Sequence, residues 1–139
     1  MNSILIDTGP IVAILDRDDR HHTICSQLIE QLDCTFHTTM AVLAEAMYLA
    51  HSHVGWRAQE ALWRSINRGD FILEHPSARD LLRMEELMSK YNDRPMDFAD
   101  ASLVALAERL SLTKIFTVDR NDFSTYRIGR KTPFTIIGP

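Results

Sequence analysis

Short apolar strands alternating with helices predict an α/β fold with a mainly parallel sheet covered on both faces. Three observations carry that expectation. Ser3-Ile4-Leu5-Ile6 is a brief run of β-branched character that ends at Asp7-Thr8-Gly9-Pro10, as a buried parallel strand running into a turn does. Ile115-Phe116-Thr117-Val118 repeats the pattern and is closed by Asp119. Between the two runs the apolar residues recur at helical spacing, so helices and strands take turns along the chain.

Taken in order, the first strand is followed by helical segments at 11–15 and 22–32, a strand at 35–37, and helices at 40–51 and 56–67. A strand at 71–73, helices at 77–91 and 98–110, the second apolar strand and a final strand at 134–137 complete the pattern. No repeat, low-complexity tract or linker interrupts it. Gly69-Asp70, His75-Pro76 and Arg94-Pro95 read as loops inside one domain spanning 1–139.

Composition narrows the class. A chain of 139 residues with 45% hydrophobic content is enough for one conventional core. A net charge of -4 argues against a broad basic surface, so any contact with nucleic acid must be local. Cys25 and Cys34 are spaced for neither a CxxC redox pair nor a zinc site, which fits a reduced, cytoplasmic setting. No apolar run reaches signal-peptide or membrane-helix length, so a soluble protein without membrane contact is expected.

The chemistry is expected at the carboxyl ends of the strands, where open parallel sheets bind ligands, and Asp7 and Asp119 each follow an apolar strand directly. The bland alternative is that each begins a turn or caps the next helix. Glu45 is the one charged residue between Phe36 and Ala50, in a helix apolar almost all round. Such a helix is normally buried, and a buried carboxylate needs a cation or strong donors beside it. A salt bridge to a distant arginine, or a wet helix edge, is the alternative. Asp97 and Asp100 share a face at the start of another apolar helix, Asp97 as its N-cap and Asp100 in its third position. Asp97 reads as structural or as an outer helper, Asp100 as part of the site. Carboxylates gathered without matching bases repel, and hard oxygen donors suit Mg²⁺ or Mn²⁺. No HExxH, GxxxxGK[ST], GxGxxG or GxSxG motif offers a different chemistry.

Four short stretches together resemble the PIN-domain family, and more narrowly its VapC-type toxins. They are the segment from Asp7-Thr8-Gly9-Pro10 to Leu15, Glu45 in the third-helix position, Asp97-Phe98-Ala99-Asp100-Ala101, and Thr117-Val118-Asp119-Arg120-Asn121-Asp122-Phe123. The resemblance implies a three-layer α/β/α sandwich and places the family's acidic quartet on Asp7, Glu45, Asp100 and Asp119. It further implies Mg²⁺ or Mn²⁺ as cofactor, endonuclease action on RNA, a homodimer, and a small antitoxin protein as partner. Asp122 competes with Asp119 as the last ligand, and Asp119 is preferred because it follows the strand. Thr8 is a candidate hydrogen-bond donor at the strand tip. Arg94, Arg120, Arg127, Arg130 and Lys131 are candidates for the RNA backbone, each against the alternative of a solvated surface charge. The rival readings are a degenerate RNA-binding or protein-binding module, and a DNA nuclease or phosphatase of related fold. Gly9 stands where an aspartyl-nucleophile phosphatase places a second aspartate. Self-association is expected through Trp56, Leu62, Trp63 and Ile66.

Overall fold

The computed structural model describes residues 2–139. The first strand, β1 (Asn2–Ile6), lies at the centre of a five-stranded sheet. Its neighbours are β2 (Cys34–Thr39) and then β3 (Phe71–Glu74) on one side, and β4 (Lys114–Phe116) and then β7 (Thr135–Ile137) on the other. Every pairing in this sheet is parallel. Ile4, Leu5, Ile6, Ile115 and Phe116 are all buried, as an apolar run covered on both faces requires.

Helices fill the connections: α1 (Thr8–Leu15) and α2 (His22–Gln31) lead to β2, and α3 (Met40–His53) and α4 (Trp56–Arg68) to β3. α5 (Ala78–Lys90) and α6 (Phe98–Leu110) then carry the chain back across to β4. Because the direction of travel reverses there, right-handed crossovers send α1–α4 and α5–α6 to opposite faces. The reversal also makes the gap between β1 and β4 the switch point of the sheet, where parallel sheets open a crevice.

Beyond β4 come α7 (Arg120–Thr125) and an antiparallel pair, β5 (Arg127–Ile128) with β6 (Thr132–Pro133), none of which the sequence pattern anticipated. The strand expected at 115–118 ends earlier, at Phe116. Thr117 still donates its N–H to Ile137, but its hydroxyl turns inward, and Asp119 sits past the strand rather than directly on its end. Gly9 has a packing reason: a Cβ there would run into the side chain of Val118, so glycine lets the first turn of α1 close on the loop after β4.

The expectation that α3 is buried all round is corrected. Met40, Ala44 and Tyr48, four apart, form an exposed stripe, with Tyr48 72% exposed, while Val42, Leu43, Ala46 and Ala50 face the core. The helix lies on the surface and its outer stripe is simply apolar. α6 is the helix that is buried nearly throughout, with Ala99 and every residue from Ala101 to Ala107 inside. Among the described residues no helix is long and apolar enough to cross a membrane.

Candidate active site

Asp7, Glu45, Asp97, Asp100, Asp119 and Asp122 all line one cleft of about 310 Å³ at the switch point. Asp7 is the N-cap of α1 and accepts the N–H of Thr8 at 2.8 Å. Its second oxygen accepts the Thr117 hydroxyl, also at 2.8 Å. The Thr117 oxygen in turn accepts the N–H of Asp119 at 3.0 Å, so one buried hydroxyl ties the two strand-end acids together. Asp119 caps α7 by accepting the N–H of Asp122. Capping and a place in the cleft are therefore not alternatives: the helix N–H groups fix the carboxylates that face it.

Asp97 caps α6 through the N–H of Asp100 at 2.8 Å, and Asp100 takes the third helical position, as its spacing implied. Behind Asp100 stands Tyr126, fully buried and packed edge-on against Tyr91 and Phe123, whose hydroxyl donates to Asp100 Oδ2 at 2.8 Å. Glu45 is half-buried and has no hydrogen-bond or ion-pair partner among the described residues. No described residue supplies the cation or donor expected beside it.

Burial is the main cause that pushes the Asp7 carboxyl up to about 6; Glu45 and Asp97 add to it, while bonds from Thr117 and Thr8 oppose it. Asp100 rises further, to about 8, first from burial and then from Asp7 and Asp97, with Tyr126 working the other way. Burial and the Asp97 charge raise Glu45, and burial raises Asp119. The Tyr126 phenol is raised by burial and by its bond to Asp100. The cluster is short of positive charge. Arg94 pairs with Asp122 at 3.3 Å and donates to the carbonyl of Asn121, and its charge also works against the rise of Asp119. Asp119 and Asp122 both line the cleft.

The remaining sequence candidates fall elsewhere. Arg120 donates to the carbonyls of Gly138 and Pro139, and Arg127 to those of Ser124, Thr125 and Tyr126. Arg130 and Lys131 are exposed in the turn between β5 and β6, away from the cleft lining. Thr8 lines the cleft, and its buried hydroxyl has no hydrogen-bond partner among the described residues. Thr117 and Tyr126 were missed as site residues. A polar side chain inside an apolar strand was the available signal for Thr117; nothing local marks Tyr126, whose partner lies 26 residues away.

The carboxylate cluster offers hard oxygen donors of the kind that suit Mg²⁺ or Mn²⁺. Among the described residues no three His, Cys, Asp or Glu side chains already converge as a ready-made cage.

Residues 4–129 match the model of the PIN domain. The chain belongs to the PIN-domain family. Ribonuclease VapC26 of Mycobacterium tuberculosis is 31% identical over 96% of this chain and 99% of its own length. Two solved structures share the fold. The first is M. tuberculosis VapC20, described as a toxin that cleaves the sarcin–ricin loop, with a TM-score of 0.78, 22% identity, and coverage of 85% of this chain and 91% of that one. The second is a toxin–antitoxin complex from Klebsiella pneumoniae, with a TM-score of 0.62, 19% identity, and coverage of 88% and 91%.

Proposed function

We propose that this PIN domain is a VapC-type ribonuclease, the toxin of a toxin–antitoxin pair, and that Asp7, Glu45, Asp100 and Asp119 form its catalytic centre, in a single domain spanning 1–139. The observation that carries the reading is the gathering of these acids around one cleft at the switch point, with no matching set of bases. The likeness to a ribonuclease along almost the whole chain supports RNA as substrate.

Asp7, Asp100, Asp119 and Glu45 would hold Mg²⁺ or Mn²⁺, directly or through water. The bound cation supplies a water of lowered pKa and offsets charge on the phosphoryl oxygens. The chain's own part is orientation. Thr117 and the N–H of Thr8 fix both oxygens of Asp7, and Tyr126 fixes Asp100 Oδ2. Glu45, without a partner, is free to turn toward the attacking water and accept its proton at a carboxylate oxygen. Thr8 offers its hydroxyl to a phosphate oxygen. Asp97 and Asp122, also at the cleft, act as outer helpers, Asp97 by capping α6 and Asp122 by holding Arg94. Arg130 and Lys131, exposed, keep their place as contacts for outlying RNA; Arg94, Arg120 and Arg127 are held in internal bonds.

Incubating the purified protein with single-stranded RNA and with DNA of the same sequence, in Mg²⁺, tests the substrate. Cleavage of RNA and not DNA is expected. Cleavage of DNA alone would replace the reading with a DNA nuclease, and cleavage of neither would favour a degenerate binding module.

A further inference from the structure

We infer that the groove between the loop after α1 and helix α4, lined by Arg17, His53, Arg57 and Arg64, is the track along which the RNA strand leaves the acid cleft. This rests on the ribonuclease reading and adds where the substrate lies. His53 lines both the acid cleft and this groove, so the two adjoin at that side chain. The groove is about 560 Å³, larger than the cleft itself.

A strand threading an acidic cleft needs phosphate contacts outside it, and the arginines nearest the acids are already engaged. Arg94 is bound to Asp122, and Arg120 and Arg127 to backbone carbonyls. Arg17 and Arg57 are exposed and make no ion pair or side-chain hydrogen bond among the described residues. Arg64 holds Glu60 in an exposed pair that a phosphate can replace at little cost. Asp16 and Asp18 also line the groove, but Asp16 is turned to His53 and to the N–H of Asp18.

Helix α4 adds a second feature. Arg57 and Arg64 are seven residues apart and share a face. Trp56 and Trp63, about 100° round the helix from these arginines and at the edge of their face, are 61% and 46% exposed. Arginines and exposed indoles on one helix are a combination that holds single-stranded nucleic acid, the charges tracking the backbone and the rings stacking on bases.

The test is binding of a labelled single-stranded oligouridine in EDTA, at several salt concentrations, by the parent, Arg17→Gln/Arg57→Gln, and Arg79→Gln as a control exposed on α5. The double variant is expected to bind about tenfold more weakly, and its slope of log affinity against log salt to fall by about 1.4, two phosphate contacts on a single strand. Arg79→Gln should match the parent. Equal affinity and slope in the double variant would overturn the track and leave the groove to an acidic protein segment. An equal loss in Arg79→Gln would overturn it as a mere effect of net charge. If the parent cleaves RNA in Mg²⁺ while the double variant binds like the parent, only the track fails. A parent that neither binds nor cleaves RNA takes the ribonuclease reading down as well.

Discussion

Two hydroxyls stand directly behind the acids of this PIN domain, Thr117 behind Asp7 and Tyr126 behind Asp100. A carboxylate that must face a cation in one orientation gains from a donor that pins its other oxygen. Tyr126→Phe keeps the ring packing and removes that donor, so RNA cleavage should fall about tenfold, the worth of one hydrogen bond to a charged group. Steady-state cleavage, with circular dichroism to verify the fold, measures it; an unchanged rate would mean that Tyr126 serves packing alone. Glu45 differs because no donor holds it. Glu45→Gln should lower cleavage by roughly a hundredfold or more if Glu45 orients the water. Burial and the Asp97 charge both disfavour the ionised form, so the metal-free variant should melt at or above the parent. A variant that melts well below the parent in EDTA would instead make Glu45 a structural residue.

At the scale of elements, the strand-end aspartates and the cap of α6 were readable because each follows from a local rule: a run, a turn, a cap three residues before its partner. Glu45 was found by its isolation among apolar residues, although the premise was only half right, since α3 presents Met40, Ala44 and Tyr48 to solvent. Apolar composition states what a helix can bury, not which face finds a neighbour. α7 and the β5–β6 pair escaped notice because they are short and held by distant contacts, such as the Arg83–Glu108 pair whose carboxylate also accepts the N–H of Gly129. Asp97 separates capping from chemistry. Asp97→Ala should cost about 1 kcal/mol of stability through the lost cap, whereas Asp97→Asn keeps the cap and should cost little. Thermal melts decide the structural half. If cleavage drops in Asp97→Asn as much as in Asp97→Ala, the charge of Asp97 matters to the site beyond its cap.

Across the whole molecule, the acids are both the proposed function and a source of instability. Asp7 and Asp100 have folded-state values of about 6 and about 8, above the ordinary carboxylate range. Between that range and those values the folded chain keeps protons that the unfolded chain has lost. The contribution of Asp7 and Asp100 to metal-free stability is therefore greatest at low pH and falls as pH rises from about 4 toward 8. Melts in EDTA across that range measure it, and Asp100→Asn should flatten the upper part. The apolar surface bears on assembly. Leu62 is buried, Ile66 packs on the core, and Trp56 and Trp63 belong to the helix proposed for RNA, so the exposed apolar surface proposed for self-association is Leu81 and Leu82 on α5. Light scattering at micromolar concentration should give a dimer, and a monomer would contradict self-association through α5.

The claim on which the rest depends is that the acid cluster works through a divalent cation. One experiment addresses it directly: RNA cleavage by the parent and by Asp100→Asn, side by side, in Mn²⁺ and in EDTA. The account predicts cleavage by the parent in Mn²⁺, none by the parent in EDTA, and a loss of at least a hundredfold in the variant with Mn²⁺ present. Undiminished cleavage by the parent in EDTA, or by Asp100→Asn in Mn²⁺, would contradict it.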